Sequence, residues 1–116
     1  GRVANGLADE EAAHYHRSIK TVTVRNTGIT APYMHNGKFQ KLSTVVKFYD
    51  KYTNKDRTIN PETGKEWAKP EVEVAKDDMK LLKQGKPLNE RKVKALVAFM
   101  NTLTDKRYEH LIPEDN

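Results

Sequence analysis

Apolar side chains recur at helical spacing in two segments of this chain, and this periodicity constrains the fold most. They occupy positions 42, 45, 46 and 49 in the first segment, and 93, 96, 97, 100 and 103 in the second. Residues three and four positions apart share one face of a helix, so each segment is predicted to form an amphipathic helix. Asn89 suits the N-cap of the second helix, and Glu90 suits its positive end. Ser43 is a candidate cap for the first.

The remaining segments combine turn signals with short periodic stretches. Residues 20–25 alternate threonine and valine, which favours an extended, strand-like conformation. Residues 28–38 are punctuated by glycine and proline, as is typical of a shaped loop, and residues 52–74 show no clear period. Residues 9–18 are expected to form a short helix or an irregular segment, and a short helix is expected over 75–84. The whole pattern predicts a mainly α domain with long ordered loops.

The composition limits how much of a core this chain can build alone. Its 116 residues suffice for one domain, but only 36% are hydrophobic and 32% are charged. We therefore expect a cofactor, a partner segment or both to complete the core. No run approaches the roughly 18 consecutive apolar residues of a transmembrane helix, so no membrane span is expected.

The net charge of +5 raises the question of a nucleic-acid partner. Basic residues are most frequent between positions 76 and 107, but acidic residues are interspersed among them. No nucleic-acid-binding motif is present, and mixed charges of this kind are typical of a solvated surface. The sequence therefore predicts no nucleic-acid partner. A modest basic field can instead steer an acidic redox partner or substrate.

Tyr49 is the strongest candidate for metal chemistry. A phenolate is a hard anionic oxygen donor that suits ferric iron, and tyrosine is a known axial haem ligand. On a helix face shared with Val45 and Val46, its ring is expected to point into an apolar pocket. The alternative is that an aromatic residue at this spacing serves only for core packing.

Three features of the preceding loop also have chemical potential. His35 can bind iron, donate a hydrogen bond to a haem propionate, or cap the turn. Pro32 lacks an N–H, so the loop cannot pair as a regular strand, and the backbone carbonyls of Thr30 and Pro32 can point the same way. Such carbonyls, with water, are suitable calcium ligands. Arg25 can pair with a propionate, or it can be an ordinary surface arginine.

Together these pieces resemble the C-terminal part of the bacterial dihaem cytochrome c peroxidase family, and in particular its MauG-like members. The similarity covers about residues 17–109. Its most specific piece is the run Pro-Tyr-Met-His-Asn-Gly at 32–37, with Tyr49 fourteen positions after the histidine. The other matching pieces are 20–26, 30–31, positions 39, 42, 45, 46 and 48, then 60–64 with 67, 70 and 71, 95–99 and 102–105.

The resemblance implies a fold and a set of site residues. Residues 1–116 would form the C-terminal, haem-pocket portion of a cytochrome c-like helical domain, completed by haem and a partner segment. Tyr49 would be the axial ligand of the six-coordinate haem, at the position where ordinary peroxidases of this family have methionine. The backbone carbonyls of Thr30 and Pro32 would bind calcium. The further residues expected to contact the haem are Arg25, Asn26, Tyr33 and His35.

The chain contains no cysteine and hence no Cys-x-x-Cys-His attachment motif for haem c. The resemblance therefore implies that haem c is attached through another segment or chain, a haem-bearing N-terminal part of the same enzyme. That enzyme would be periplasmic and would use hydrogen peroxide. A tyrosine ligand favours high-valent iron, which points to the oxidation of a redox partner protein or a protein substrate.

Two other functions remain open at this point. The protein can be an ordinary cytochrome c peroxidase, which removes peroxide with electrons from a small redox protein. Alternatively, it can be a non-catalytic module that docks on a haem protein, with Tyr49 used only for packing. A coloured complex whose low-spin signal changes on Tyr49→Phe would distinguish the enzyme from the docking module.

Overall fold

The computed structural model describes residues 22–34, 36–69 and 76–116. These ranges contain three α-helices, which we number α1 (Leu42–Asp50), α2 (Lys76–Leu82) and α3 (Glu90–Thr102). Two 3-10 helices, η1 (Thr27–Ile29) and η2 (Lys106–Leu111), flank them in sequence. The described ranges contain no β-strand, only two isolated bridges, so the prediction of a mainly α fold is confirmed.

The prediction of a strand-like segment over 20–25 is wrong for the part that the structure describes. Val22 and Val24 are 72% and 50% exposed, and residues 22–25 pair with no neighbouring strand. Alternation of residue types produces a strand only where another strand completes the hydrogen bonds. The helix expected over 9–18 lies outside the described residues.

The core lies where α1 packs against α3. Leu42 and Val46 on α1 meet Val93 and Val97 on α3, and these four side chains are at most 8% exposed. The helix faces predicted from the periodicity are therefore confirmed for these four side chains, whereas Leu96 of the predicted α3 face is 41% exposed. The last apolar residue of the α1 face, Tyr49, is instead 50% exposed.

The N-terminus of α1 is capped by residues from distant parts of the chain. The carboxylate of Glu62 accepts hydrogen bonds from the backbone N–H groups of Gln40 and Lys41, at 3.0 and 2.8 Å. The side-chain oxygen of Asn116 accepts from Leu42 N at 3.0 Å. Burial would raise the pKa of Glu62, but these backbone hydrogen bonds and nearby positive charge lower it overall.

Ser43 does not cap α1, so that prediction is wrong. The N-cap position belongs to Lys41, whose side chain forms no capping hydrogen bond. Since the helix starts at Leu42, Ser43 already lies in the first turn. The prediction for α3 is confirmed, because the Asn89 side chain accepts from Lys92 N at 2.8 Å.

The segment after α3 is more ordered than its polar sequence indicates. Asp105 caps η2 by accepting from Arg107 N at 3.0 Å, and the chain then returns so that Asn116 reaches α1. In the described part of the chain, no helix is both long and apolar enough to cross a bilayer.

Candidate functional site

Tyr49 stands at the exposed end of α1, in the helix's last turn. Half of the side chain is accessible, and its ring packs edge-on against Phe48 with 5.5 Å between centroids. Its hydroxyl forms no hydrogen bond with any described residue. The phenolic oxygen is therefore free to bind a group outside this chain, while the base of the ring is held against the protein.

An aromatic cluster supports Tyr49 from behind. Phe48 is its centre, with ring centroids 5.5, 5.9 and 5.6 Å from those of Phe39, Tyr52 and Trp67. The indole N–H of Trp67 donates to the backbone oxygen of Arg57 at 2.9 Å, which fixes the ring. Such edge-to-face contacts add to the packing energy, so the cluster forms a firm wall beside the Tyr49 phenol.

Lys51 covers this cluster with its ammonium group. The Nζ atom lies 4.2 Å from the Phe48 ring centroid and 5.0 Å from that of Tyr52. These are cation–π distances, and burial lowers the pKa of Lys51. Burial, and to a lesser degree the nearby phenol of Tyr49, raise the pKa of Tyr52.

Arg25 and Asn26 differ in what their side chains do. Arg25 is exposed, and its guanidinium forms no hydrogen bond with a described residue, so it is open to an anionic group such as a carboxylate. Hydrogen bonds from Arg107, and then the charge of Arg25, lower the pKa of Asp105. The Asn26 side-chain oxygen accepts from Asp105 N at 2.6 Å, while the backbone N–H of Asn26 donates to Leu103 O at 3.0 Å. Asn26 therefore ties η1 to the end of α3.

Tyr33 lies in the core rather than on an open surface. It is 9% exposed, and its hydroxyl donates to the backbone oxygen of Thr27 at 2.6 Å. Its backbone pairs with Phe39, closing the loop between them, and burial raises the pKa of its phenol. His35 lies outside the described residues, so its predicted role is not tested.

Thr30 and Pro32 are exposed, and their carbonyl oxygens accept no hydrogen bond from the described residues. The Ala31–Pro32 peptide bond is cis. Unpaired carbonyl oxygens are the kind of hard donor that calcium prefers. Within the described ranges no group of three His, Cys, Asp or Glu side chains could hold a metal ion. A calcium site at Thr30 and Pro32 would therefore need further ligands from elsewhere.

Asp50, the residue after Tyr49, has a role that the sequence analysis missed. It is 4% exposed, and its carboxylate accepts from Leu88 N at 2.8 Å, Arg57 Nε at 3.0 Å and Asn54 Nδ2 at 3.1 Å. A carboxylate at a helix C-terminus opposes the helix dipole, and this unfavourable placement was the available signal. Such a residue needs donors from other parts of the chain.

Arg57 extends this network to α3. Its Nη1 atom lies 2.6 Å from Glu90 Oε1, and the other Glu90 oxygen lies 3.3 Å from Lys47 Nζ on α1. The hydrogen bond from Arg57 lowers the pKa of Glu90. Burial would lower the pKa of Arg57, but its two carboxylate partners, Glu90 and Asp50, raise it overall. The C-terminal half of α1 and the start of α3 are thus joined by charged groups.

Comparison with known proteins identifies the family of this chain. No family model matches the chain. The chain is 47% identical over 98 residues to the methylamine utilization protein MauG of Paracoccus denitrificans (strain Pd 1222). The chain belongs to the MauG-like family. The match covers 83% of this chain and spans a quarter, 25%, of the length of MauG.

The mainly α fold of this MauG-like chain agrees with the cytochrome c-like domain that the resemblance implied. Its site residues divide into two groups. Asn26 and Tyr33 are held in hydrogen bonds within the chain. The side chains or carbonyls of Tyr49, Arg25, Thr30 and Pro32 are accessible. The second group is therefore available to a group outside these residues.

Proposed function

We propose that this chain is the C-terminal, haem-pocket portion, residues 1–116, of a MauG-like dihaem oxidoreductase that uses hydrogen peroxide in the periplasm. Tyr49 is its axial oxygen ligand for the six-coordinate haem. One observation carries the proposal: in a chain 47% identical to MauG, a half-exposed tyrosine, whose hydroxyl forms no hydrogen bond with a described residue, stands at the end of a well-packed helix.

The residues of the chain fit this role. Haem supplies the redox chemistry when bound, and a deprotonated phenolic oxygen is a suitable ligand for ferric iron. Phe48 and its aromatic neighbours supply an apolar wall beside Tyr49, which limits access of water to the metal–oxygen bond. The guanidinium of Arg25, which forms no hydrogen bond with a described residue, offers a positive charge for a haem propionate. Asn26, Tyr33 and His35 complete the proposed haem contacts.

An exposed apolar surface supports the view that haem c arrives on another segment. Leu96 and Phe99, one turn apart on α3, are 41% and 58% exposed. Adjacent apolar side chains of this size on a surface are typical of an interaction site. Because the chain spans a quarter of MauG, we assign this face to the haem-bearing segment of the same enzyme. A redox partner protein or protein substrate is the proposed recipient of the oxidising equivalents.

The axial bond is tested by Tyr49→Phe in the complete haem-containing protein. Because phenylalanine has no oxygen, we expect loss of the low-spin signal of the six-coordinate haem in electron paramagnetic resonance and visible spectra. Tyr52→Phe is the matched control, since Tyr52 lies in the same aromatic cluster, and it should keep the signal. An unchanged low-spin signal in Tyr49→Phe would rule out the axial role and favour a docking module.

Calcium is the second part of the proposal. The carbonyl oxygens of Thr30 and Pro32, which accept no hydrogen bond from the described residues, are its proposed ligands in this chain, so a calcium chelator should weaken the coupling between the two haems. The coupling is measured by potentiometric titration followed in the visible spectrum. Calcium should restore it, and an equal concentration of magnesium should not, because magnesium requires stricter octahedral geometry. No response to the chelator would contradict the calcium site.

A further inference from the structure

We infer that Asp50 is a positioning residue for Tyr49: its buried carboxylate fixes the end of α1 from which the phenolic oxygen reaches the metal. This inference rests on the proposed function. It concerns a residue that touches neither the haem nor the metal, and it is carried by the network of hydrogen bonds around a carboxylate with no accessible side-chain surface.

The first step is the direction of the two neighbouring side chains. Successive residues on a helix are separated by about 100°. Tyr49 and Asp50 therefore leave the last turn in different directions, and the structure has Tyr49 half exposed and Asp50 buried. Holding Asp50 inward also sets the direction in which Tyr49 projects. A rotation of the last turn would move both side chains together.

The second step is how firmly Asp50 is held. Its two oxygens accept from Leu88 N, Arg57 Nε and Asn54 Nδ2, and its backbone oxygen accepts from Asn54 N at 2.8 Å. These donors come from the turn after α1 and from the segment before α3. A buried carboxylate with several donors has one strongly preferred position, since any displacement leaves charge unpaired.

The third step is the precision that a metal ligand requires. Ligand atoms must be held within about 0.5 Å of their productive position, and residues behind the ligand supply that precision. The Tyr49 hydroxyl has no hydrogen bond of its own with a described residue, so its placement depends on the backbone and on the Phe48 contact. The Asp50 network is the part of the structure that fixes this backbone.

The test is Asp50→Asn in the complete haem-containing protein. Asparagine keeps the shape but loses the negative charge, and its amide cannot accept from Leu88 N, Arg57 and Asn54 at once. We expect the ratio of low-spin, tyrosine-ligated haem to high-spin haem to fall by about tenfold, the lower end of the range for groups that support metal ligands. The ratio is measured by electron paramagnetic resonance, with the folded fraction measured by circular dichroism.

Two further variants make the result specific. Arg57→Lys keeps the positive charge but lacks the planar fork that bonds both Asp50 and Glu90, so it should lower the ratio by a smaller factor. If Asp50→Asn does not fold, Arg57→Lys tests the positioning role in its place. Asp115→Asn is the control, because it removes an exposed ion pair with Lys41 near the opposite end of α1. It should leave the ratio unchanged.

The outcomes separate this inference from the proposed function. If Tyr49→Phe removes the low-spin signal while Asp50→Asn and Arg57→Lys retain the wild-type ratio, only the positioning role of Asp50 is wrong. A loss of signal that merely follows the unfolded fraction also overturns the positioning role. If Tyr49→Phe keeps the signal, the proposed function fails, and the role of Asp50 fails with it.

Discussion

We expect replacement of Phe39 with alanine to lower the free energy of unfolding by about 3–5 kcal/mol. The side chain is 7% exposed, and its ring contacts those of Phe48 and Trp67 with centroids 5.5 and 5.9 Å apart. Truncation removes the buried apolar surface and leaves a cavity between α1 and the segment that carries Trp67. The loss extends to the site, because Phe48 is the ring against which Tyr49 packs.

Urea titration followed by circular dichroism measures this loss. The fluorescence of Trp67, the one tryptophan in the sequence, reports separately on the cluster. Phe39→Leu should have a smaller effect, since it retains most of the volume. Tyr108→Ala is the control, because Tyr108 is a 40% exposed aromatic residue, and its effect should be within about 0.5 kcal/mol of zero. Equal losses in Phe39→Ala and Tyr108→Ala would contradict the central place of Phe39 in the core.

Asn116→Ala should lower the free energy of unfolding by about 2–3 kcal/mol, the sum expected for a lost helix cap and a buried polar group left unpaired. The Asn116 side chain accepts from Leu42 N at 3.0 Å and donates to Gly28 O at 2.9 Å and Asn101 Oδ1 at 3.0 Å. One amide thereby joins the start of α1, η1 and α3. Alanine removes all three hydrogen bonds.

Asn116→Asp divides this effect into two parts. The carboxylate can still accept from Leu42 N and adds negative charge at a helix N-terminus, but it cannot donate to Gly28 or Asn101. We expect a loss between those of wild type and Asn116→Ala, measured by the same urea titration. Glu114→Ala is the control, since Glu114 is exposed and forms no hydrogen bond with a described residue. If Asn116→Ala is no worse than this control, the amide does not hold the three elements together.

The two main helices were predictable because their signals are local. The spacing of apolar residues in α1 and α3, and the Asn89 cap, depend on neighbours within one or two turns. The caps of α1 were not predictable in this way. Glu62 lies 21 residues from Lys41, and Asn116 lies 74 residues from Leu42, so no local pattern connects them. The 3-10 helix η2 was missed because its sequence lacks an apolar period.

The candidate site was predictable in residue type but not in environment. The sequence indicated Tyr49 as an oxygen donor on an apolar helix face, but it did not indicate that half of the side chain is exposed in this chain, because periodicity does not tell where a packed face ends. The resemblance gave Tyr33 and Asn26 as haem contacts, but it did not indicate the hydrogen bonds that both residues form within the chain. Asp50 was overlooked because its partners come from segments that sequence spacing does not bring together.

Helix α1 has only nine residues and is capped by residues from distant parts of the chain, and this has a consequence for when the helix forms. A peptide this short has little helix content in water, since helix nucleation is unfavourable and its few hydrogen bonds do not offset that free-energy cost. We therefore expect a synthetic fragment covering 41–51 to be largely unstructured. The Tyr49 side chain would therefore take up its place at the end of α1 only after remote parts of the polypeptide have come together.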